Sequence, residues 1–383
     1  MARDRETAMA ALSAGGATAR GLSGTGAIVS DVAKIAVLRA NRLGDFVVTL
    51  PALTALRATY PAAEIVLLGL TWHAAFLAGR PQPIDRVVVI PPCPGVGESE
   101  DFVADPAALD DFFATLAAEG FDLALQLHGG GRFSNPFIRR VGARLTVGLR
   151  TPEAAPLDRG IPYMPYQHEI LRFLEVVGLV GGGPVPLAPQ LAVTGDDLAA
   201  AERALPDDGR PLVALHPGAT DPRRRWPPAH FAAVGDALAA AGARVVLVGT
   251  ADEGPLAVAV GGAMAAPVAD LAGKLTLSGL AGLLARCRIA IGNDSGPLHL
   301  AAAVGASTVG LYWGPNLIHY GPLTRARHRP FVSWHGAFPD GEGSAAMTAS
   351  DPTPSLVADL PPAAVAAAAL ELYTSRTADT PRR

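Results

Sequence analysis

Cysteine is scarce: Cys93 and Cys287 are the only two in 383 residues. That is too few for a disulfide framework or a four-cysteine zinc site, and it fits a reducing, cytoplasmic setting. No apolar stretch reaches about 18 residues without a charge or a turn residue, so nothing reads as a bilayer-spanning helix. The mean hydropathy of +0.28 reflects Ala and Val spread through a soluble core, and any membrane contact is expected to be peripheral. The opening residues, MARDRETAMAALSAGGATARG, mix charges of both signs around no continuous apolar core, and so do not read as a secretory signal. Basic charge is not in excess either. Lys and Arg total 31 against 35 Asp and Glu, a net charge of −4, which argues against nucleic acid as a partner and makes any basic site local.

Certain motifs are missing too. No Asp-x-Asp occurs, so the usual carboxylate pair for a nucleotide-bound divalent metal is absent. There is no GxGxxG after the first predicted strand and no GxxxxGK[ST], which argues against a dinucleotide site or an ATP-hydrolysing site of the common kinds. A diphosphate bound here would rely on arginines and backbone amides instead of Mg²⁺; no metal site is expected. What is present is a globular composition, 50% hydrophobic and 17% charged, long enough for two or three domains at about 150 residues each.

Residues 1–32 are rich in Ala, Gly, Ser and Thr and read as a flexible arm. Order begins at Lys34. Short apolar runs at 35–38, 64–69, 85–90 and 123–127 read as buried parallel strands, with helices expected at 47–59 and 107–119. A helix at 168–177 precedes a Gly- and Pro-dense connection at 180–189, and Pro206–Pro211 gives a second boundary signal. A second series follows, with strands at 212–216, 244–249, 289–292 and 308–312, and helices at 228–241, 277–286 and 297–304. Residues 336–354 read as mobile, and 361–373 as an Ala-rich terminal helix. The alternation predicts two successive doubly wound α/β domains, with a site in the cleft between them. The expected divisions are the arm at 1–32, a first domain at 33–185, a second at 186–355, and a terminal helix at 356–375 packing back toward the first domain.

Three segments carry chemistry. In ANRLGDFVVTLPAL (40–53) a glycine after a strand places Asp45 at a helix start. There it either caps the helix or faces the cleft as a general base. In HPGATDPRRRWPPAHF (216–231) loop amides, the Thr220 hydroxyl and three arginines suit phosphate oxygens. Three adjacent arginines ahead of a helix oppose its dipole, which favours an anionic ligand to offset them. IGNDSGPLHLAAAVG (291–305) is a strand, a polar loop and a helix with amides expected to be free at Ser295, Gly296 and Leu298, a start that can hold a pyrophosphate. Asp294 either caps that helix or accepts a proton from a sugar hydroxyl, and His299 lies one turn in.

These segments, with KIAVLRANRLGDFVVTLPALTALRATYP and DLAGKLTLSGLAGLLARCRIAIGNDSGPLHLAAAVG, resemble glycosyltransferase family 9, the family of the ADP-heptose:lipopolysaccharide heptosyltransferases. The resemblance runs from Lys34 to about Pro322. It implies a GT-B architecture, two Rossmann-like domains facing a cleft, with the acceptor on the first and a nucleotide-diphosphate sugar, ADP-linked by family, on the second. By resemblance Asp45 takes the place of the base, and Asn41 and Arg42 beside it fall on the acceptor side. Arg224 falls near the donor phosphates, Asp294, Ser295, Gly296 and His299 match a D-x-G-x-x-H donor motif, and Glu253 falls at a ribose-contacting acid. The chain departs from the usual pattern at Asn41-Arg42 and at LYWGPNLIHYGP (311–322). The activity implied is inverting, metal-independent transfer of a heptose-like sugar to a glycolipid or saccharide hydroxyl, without a cofactor, at the inner face of the cytoplasmic membrane. A GT-B epimerase acting on a nucleotide sugar and a non-catalytic nucleotide-sugar-binding protein are the competing readings.

Overall fold

The computed structural model describes residues 26–334 and 355–375. Most of the expected N-terminal arm, and the segment 336–354 expected to be mobile, lie outside the described residues. At the end of the arm Val29 and Val32 pack against the core, and the Val29 amide donates to the Tyr60 hydroxyl at 3.0 Å.

Two six-stranded parallel sheets organise the chain. The first contains β1 (Lys34–Leu38), β2 (Glu64–Gly69), β3 (Arg86–Val89), β4 (Leu123–Gln126), β5 (Leu145–Arg150) and β6 (Arg159–Pro162), in the order β3-β2-β1-β4-β5-β6. The second contains β7 (Leu212–His216), β8 (Arg244–Leu247), β9 (Ala269–Asp270), β10 (Cys287–Asn293), β11 (Ser307–Trp313) and β12 (His328–Ser333), in the order β9-β8-β7-β10-β11-β12. Each is the Rossmann order, in which the direction of winding reverses between the first and fourth strands and leaves a crevice beyond their carboxyl ends. The central strands are covered on both faces, which explains their near-continuous apolar runs: Ile35 to Leu38 and Val213 to Leu215 are fully or almost fully buried.

The strands missed in the sequence are mostly outer ones. β6 and β12 are only partly buried and carry Arg159, His328 and Arg329, so neither shows an apolar run. The helix expected at 47–59 is broken. Leu43–Val47 and Leu50–Thr59 are separate helices, because the Thr49 hydroxyl bonds back to the Phe46 carbonyl at 2.5 Å and Pro51 is tolerated only in a first helical turn. The turn at 206–211 lies within the second half: the helix before it, Gly195–Ala204, packs on the helix Leu277–Arg286. The terminal helix, Pro362–Thr374, corrects another expectation. It does not turn toward the first half; its Val365, Ala369, Leu372 and Tyr373 enter the core of the second sheet with Phe231 and Val309.

The two halves share one apolar cluster, running from Ile35 and Phe173 to Ala214 and Leu300. Polar contacts fix their relation. Arg80 of the first half makes a two-pronged ion pair with Asp197 of the second, at 2.6 and 2.9 Å, with side chains 2% and 1% exposed. His168 caps its own helix by accepting from the Ile170 amide through Nδ1, which leaves Nε2 to donate to the Gly321 carbonyl at 2.7 Å. Among the described residues no helix is long and apolar enough to cross a membrane.

Candidate active site at the junction of the two sheets

The loop after β1 turns at Arg39 and enters the helix Leu43–Val47. Its N-cap is Arg42, so Asp45 lies inside the first turn and is not the cap. The Asp45 carboxylate is held from both halves. Buried Arg39 donates to Oδ1 at 3.2 Å and to the Asp45 carbonyl at 3.1 Å, and the Tyr320 hydroxyl donates to Oδ1 at 3.3 Å. Arg39 is itself fixed by the Leu127 carbonyl at 2.7 Å and by the Phe173 ring, 4.7 Å from its guanidinium. Burial lowers the Arg39 pKa, against the pull of Asp45. Burial, then Asp45, push the Tyr320 phenol above its ordinary range, so it stays a donor.

In the second half the loops after β7 and β10 are sewn together by Asn293. Its side chain donates to the Pro217 carbonyl at 2.8 Å and accepts from the Trp226 amide at 3.0 Å. This sets Arg224 opposite Asp294, at 3.1 Å from Nη1 to Oδ2. Asp294 also bonds His299 at 3.0 Å and the Asn316 amide at 2.6 Å. Burial would raise its pKa, but these hydrogen bonds and the His299 and Arg224 charges outweigh it, and the carboxyl lies below its ordinary range. Asp294 is therefore a buried anion with three partners and does not cap the helix Gly296–Ala303, whose N-cap position is Ser295.

Asp45, Arg42, Thr220, Arg224, Asp294, Ser295, Gly296, His299 and Tyr320 line one open cavity of ≈ 150 Å³. Most of the residues singled out in the sequence thus converge. Others do not. Glu253 turns away from this cavity into the space left by Gly218 and Gly249, accepts from the Thr250 amide at 2.8 Å and reaches His216 at 3.3 Å. His216 in turn lies 2.9 Å from the Ser295 hydroxyl. The Asn41 carbonyl accepts from the Trp72 indole at 3.3 Å, and its side chain does not line the cavity. The Leu298 amide is not free, since it bonds the Ser295 carbonyl at 3.2 Å. The arginine run is also less exposed to the helix dipole than expected: Arg223 pairs with Asp221 at 2.8 Å and Arg225 bonds the Ala219 carbonyl at 2.9 Å, in a turn that precedes the helix start at Pro228. Among the described residues no three His, Cys, Asp or Glu side chains converge as metal ligands.

Arg39, Asn316 and Tyr320 were not singled out. Arg39 reads only as the first residue of the loop after the strand, and the other two lie in the LYWGPNLIHYGP segment whose only mark was its departure from pattern.

The profile of glycosyltransferase family 9 (heptosyltransferase) matches residues 110–331. The chain belongs to glycosyltransferase family 9. The matched stretch includes Thr220, Arg224 and the 294–299 loop, and begins after Asp45. The lipopolysaccharide heptosyltransferase 2 of Salmonella typhimurium is 28% identical over 306 residues, covering 76% of this chain and 85% of the relative. Among solved structures, the family 9 glycosyltransferase of Veillonella parvula superposes with a TM-score of 0.71 at 20% identity, covering 89% of this chain and 97% of that one. The ADP-heptose heptosyltransferase II of E. coli gives 0.68 at 23% identity, over 89% and 98%. This family 9 chain is a glycosyltransferase, and its two facing Rossmann-like sheets are the GT-B architecture.

Proposed function

We propose that this family 9 enzyme transfers a heptose-like sugar, with inversion and without a metal ion, from an ADP-linked donor to a hydroxyl of a lipopolysaccharide-core or related saccharide acceptor. The observation that carries the reading is the shared cavity: a carboxylate from the first half faces an arginine, a histidine and a helix start from the second. The relatives named as lipopolysaccharide heptosyltransferases support the sugar and the acceptor.

In the proposed reaction the acceptor hydroxyl attacks the anomeric carbon on the face opposite the diphosphate. Asp45 takes the hydroxyl proton as the new C–O bond forms. The bond from the anomeric carbon to the phosphate oxygen breaks, and its electron pair leaves with the diphosphate. The Ser295 and Gly296 amides, the positive end of their helix, and Arg224 and His299 then face the growing negative charge. Asp294 holds Arg224 and His299 in place. The acceptor side is assigned to the mouth of the first half, where Arg42 is exposed; peripheral contact with the inner face of the cytoplasmic membrane follows if the acceptor is a glycolipid.

Asp45→Ala tests this reading. Loss of a general base lowers turnover by about a hundredfold to ten-thousandfold, while calorimetric binding of ADP-sugar is expected to persist. Retained turnover would refute the assignment of the base.

A further inference from the structure

The helix Gly314–Tyr320 touches both carboxylates of the site. Asn316 and Tyr320 are four residues apart and so share a face of that helix. Asn316 donates to Asp294 Oδ2 at 2.6 Å, and Tyr320 donates to Asp45 Oδ1 at 3.3 Å. The next residue, Gly321, accepts the bond from His168 of the first half at 2.7 Å. Contacts from residues 316, 320 and 321 therefore tie the donor side, the opposite half and the carboxylate of the proposed base.

The two donors to Asp45 converge on the same atom. Arg39 and Tyr320 both bond Oδ1, and among the described residues no hydrogen bond to Oδ2 is made. A carboxylate rotates about its last bond in a broad well, and a single donor would leave that rotation partly open. Two donors from different directions, one from each half, hold it.

Resting on the glycosyl-transfer reading above, we infer that Tyr320 is a positioning residue: by binding Asp45 Oδ1 across the two halves it leaves Oδ2 as the oxygen that receives the acceptor proton. Because Tyr320 belongs to the second half, Asp45 is fully oriented only when the halves are together. Because Asn316 lies on the same helix face, that orientation is linked to Asp294 and hence to the donor side. The geometry assigns to LYWGPNLIHYGP the task of setting the base.

Tyr320→Phe keeps the ring between His299 and His319, each with a ring centroid 6.1 Å away, and removes only the hydroxyl. Expected is a fall in kcat of about ten- to a hundredfold, the worth of one hydrogen bond to a charged group, with the KM for ADP-sugar nearly unchanged. In an Asp45→Ala background Tyr320→Phe is expected to add nothing further, because it acts through that carboxylate.

An unchanged kcat would overturn the inference, as would an equal loss in the Asp45→Ala background. A Tyr320→Phe enzyme whose only defect is a raised donor KM would overturn it too, since a role in donor packing would suffice. Failure of the base reading is distinguishable: there Asp45→Ala itself keeps its turnover.

Discussion

Gly44 and Gly296 meet face to face across the two halves of the enzyme. A Cβ placed on Gly44 would lie 3.1 Å from His299 Cδ2 and 3.6 Å from Gly296 Cα, and one on Gly296 would lie 3.1 Å from Leu43 Cβ. The helix Leu43–Val47 that carries Asp45 and the helix Gly296–Ala303 therefore pack backbone to backbone, and the absence of two side chains is what lets the proposed base and anion site share a cavity. An alanine at either position requires neighbours to give by tenths of an ångström. A valine requires the helices to part, at a cost of about 1–3 kcal/mol for overpacking. Gly296→Val is expected to lose activity far more than it loses thermal stability, which steady-state kinetics and a melting curve on one preparation would separate.

The buried Arg80–Asp197 pair predicts a different balance. Removing one partner leaves an uncompensated buried charge, which costs about 3–5 kcal/mol. Arg80→Ala is therefore expected to lower the urea midpoint strongly. Pairing it with Asp197→Ala is expected to recover part of the loss, and a double-mutant cycle measures the coupling.

Arg224 is the one arginine of its run that lines the cavity. Arg224→Ala is expected to weaken ADP-sugar binding and lower kcat together, since the guanidinium faces the diphosphate in both the bound and the leaving state in the proposed mechanism. If arginine and amides bear that charge, EDTA leaves turnover intact. A requirement for Mg²⁺ restored by titration would contradict it.

Glu253 gives a prediction in pH. Burial acts to raise its pKa, but the His216 contact and the Thr250 donors prevail and lower it from 4.5 to about 2. A depressed folded value means that the unfolded chain binds the proton first on acidification. The stabilisation, about 3 kcal/mol for a shift of this size, is complete above pH 4.5 and is lost as the pH falls toward 2. Glu253→Gln is expected to flatten that part of the stability curve, read as denaturant midpoints between pH 6 and pH 3. Indifference of the wild-type curve to this substitution would remove Glu253 from the acid response.

Much of this was legible along the chain. The runs at Ile35–Leu38, Leu212–His216 and Ile289–Gly292 announce themselves because a strand buried on both faces has no polar alternate positions. The broken helix at Val48-Thr49 was not legible, since the apolar spacing continues through it and the break depends on one hydroxyl choosing a carbonyl. Glu253 shows what a local reading leaves out. Its place after a strand suggested a ligand contact, and only the glycine-lined space at Gly218 and Gly249 shows that it turns inward toward His216.

Sequence by itself determined the two α/β halves, the family, and the three loops that hold Asp45, Arg224 and Asp294, because strand periodicity and loop chemistry are local properties of the chain. Tertiary structure alone decided that these loops face one cavity, that the terminal helix Pro362–Thr374 completes the second core, and that Tyr320, 275 residues beyond Asp45, reaches its carboxylate. The physical reason is range. A hydrogen bond or a glycine-to-glycine contact between halves depends on how two packed sheets are set against each other, and nothing in the neighbouring residues of either partner encodes that.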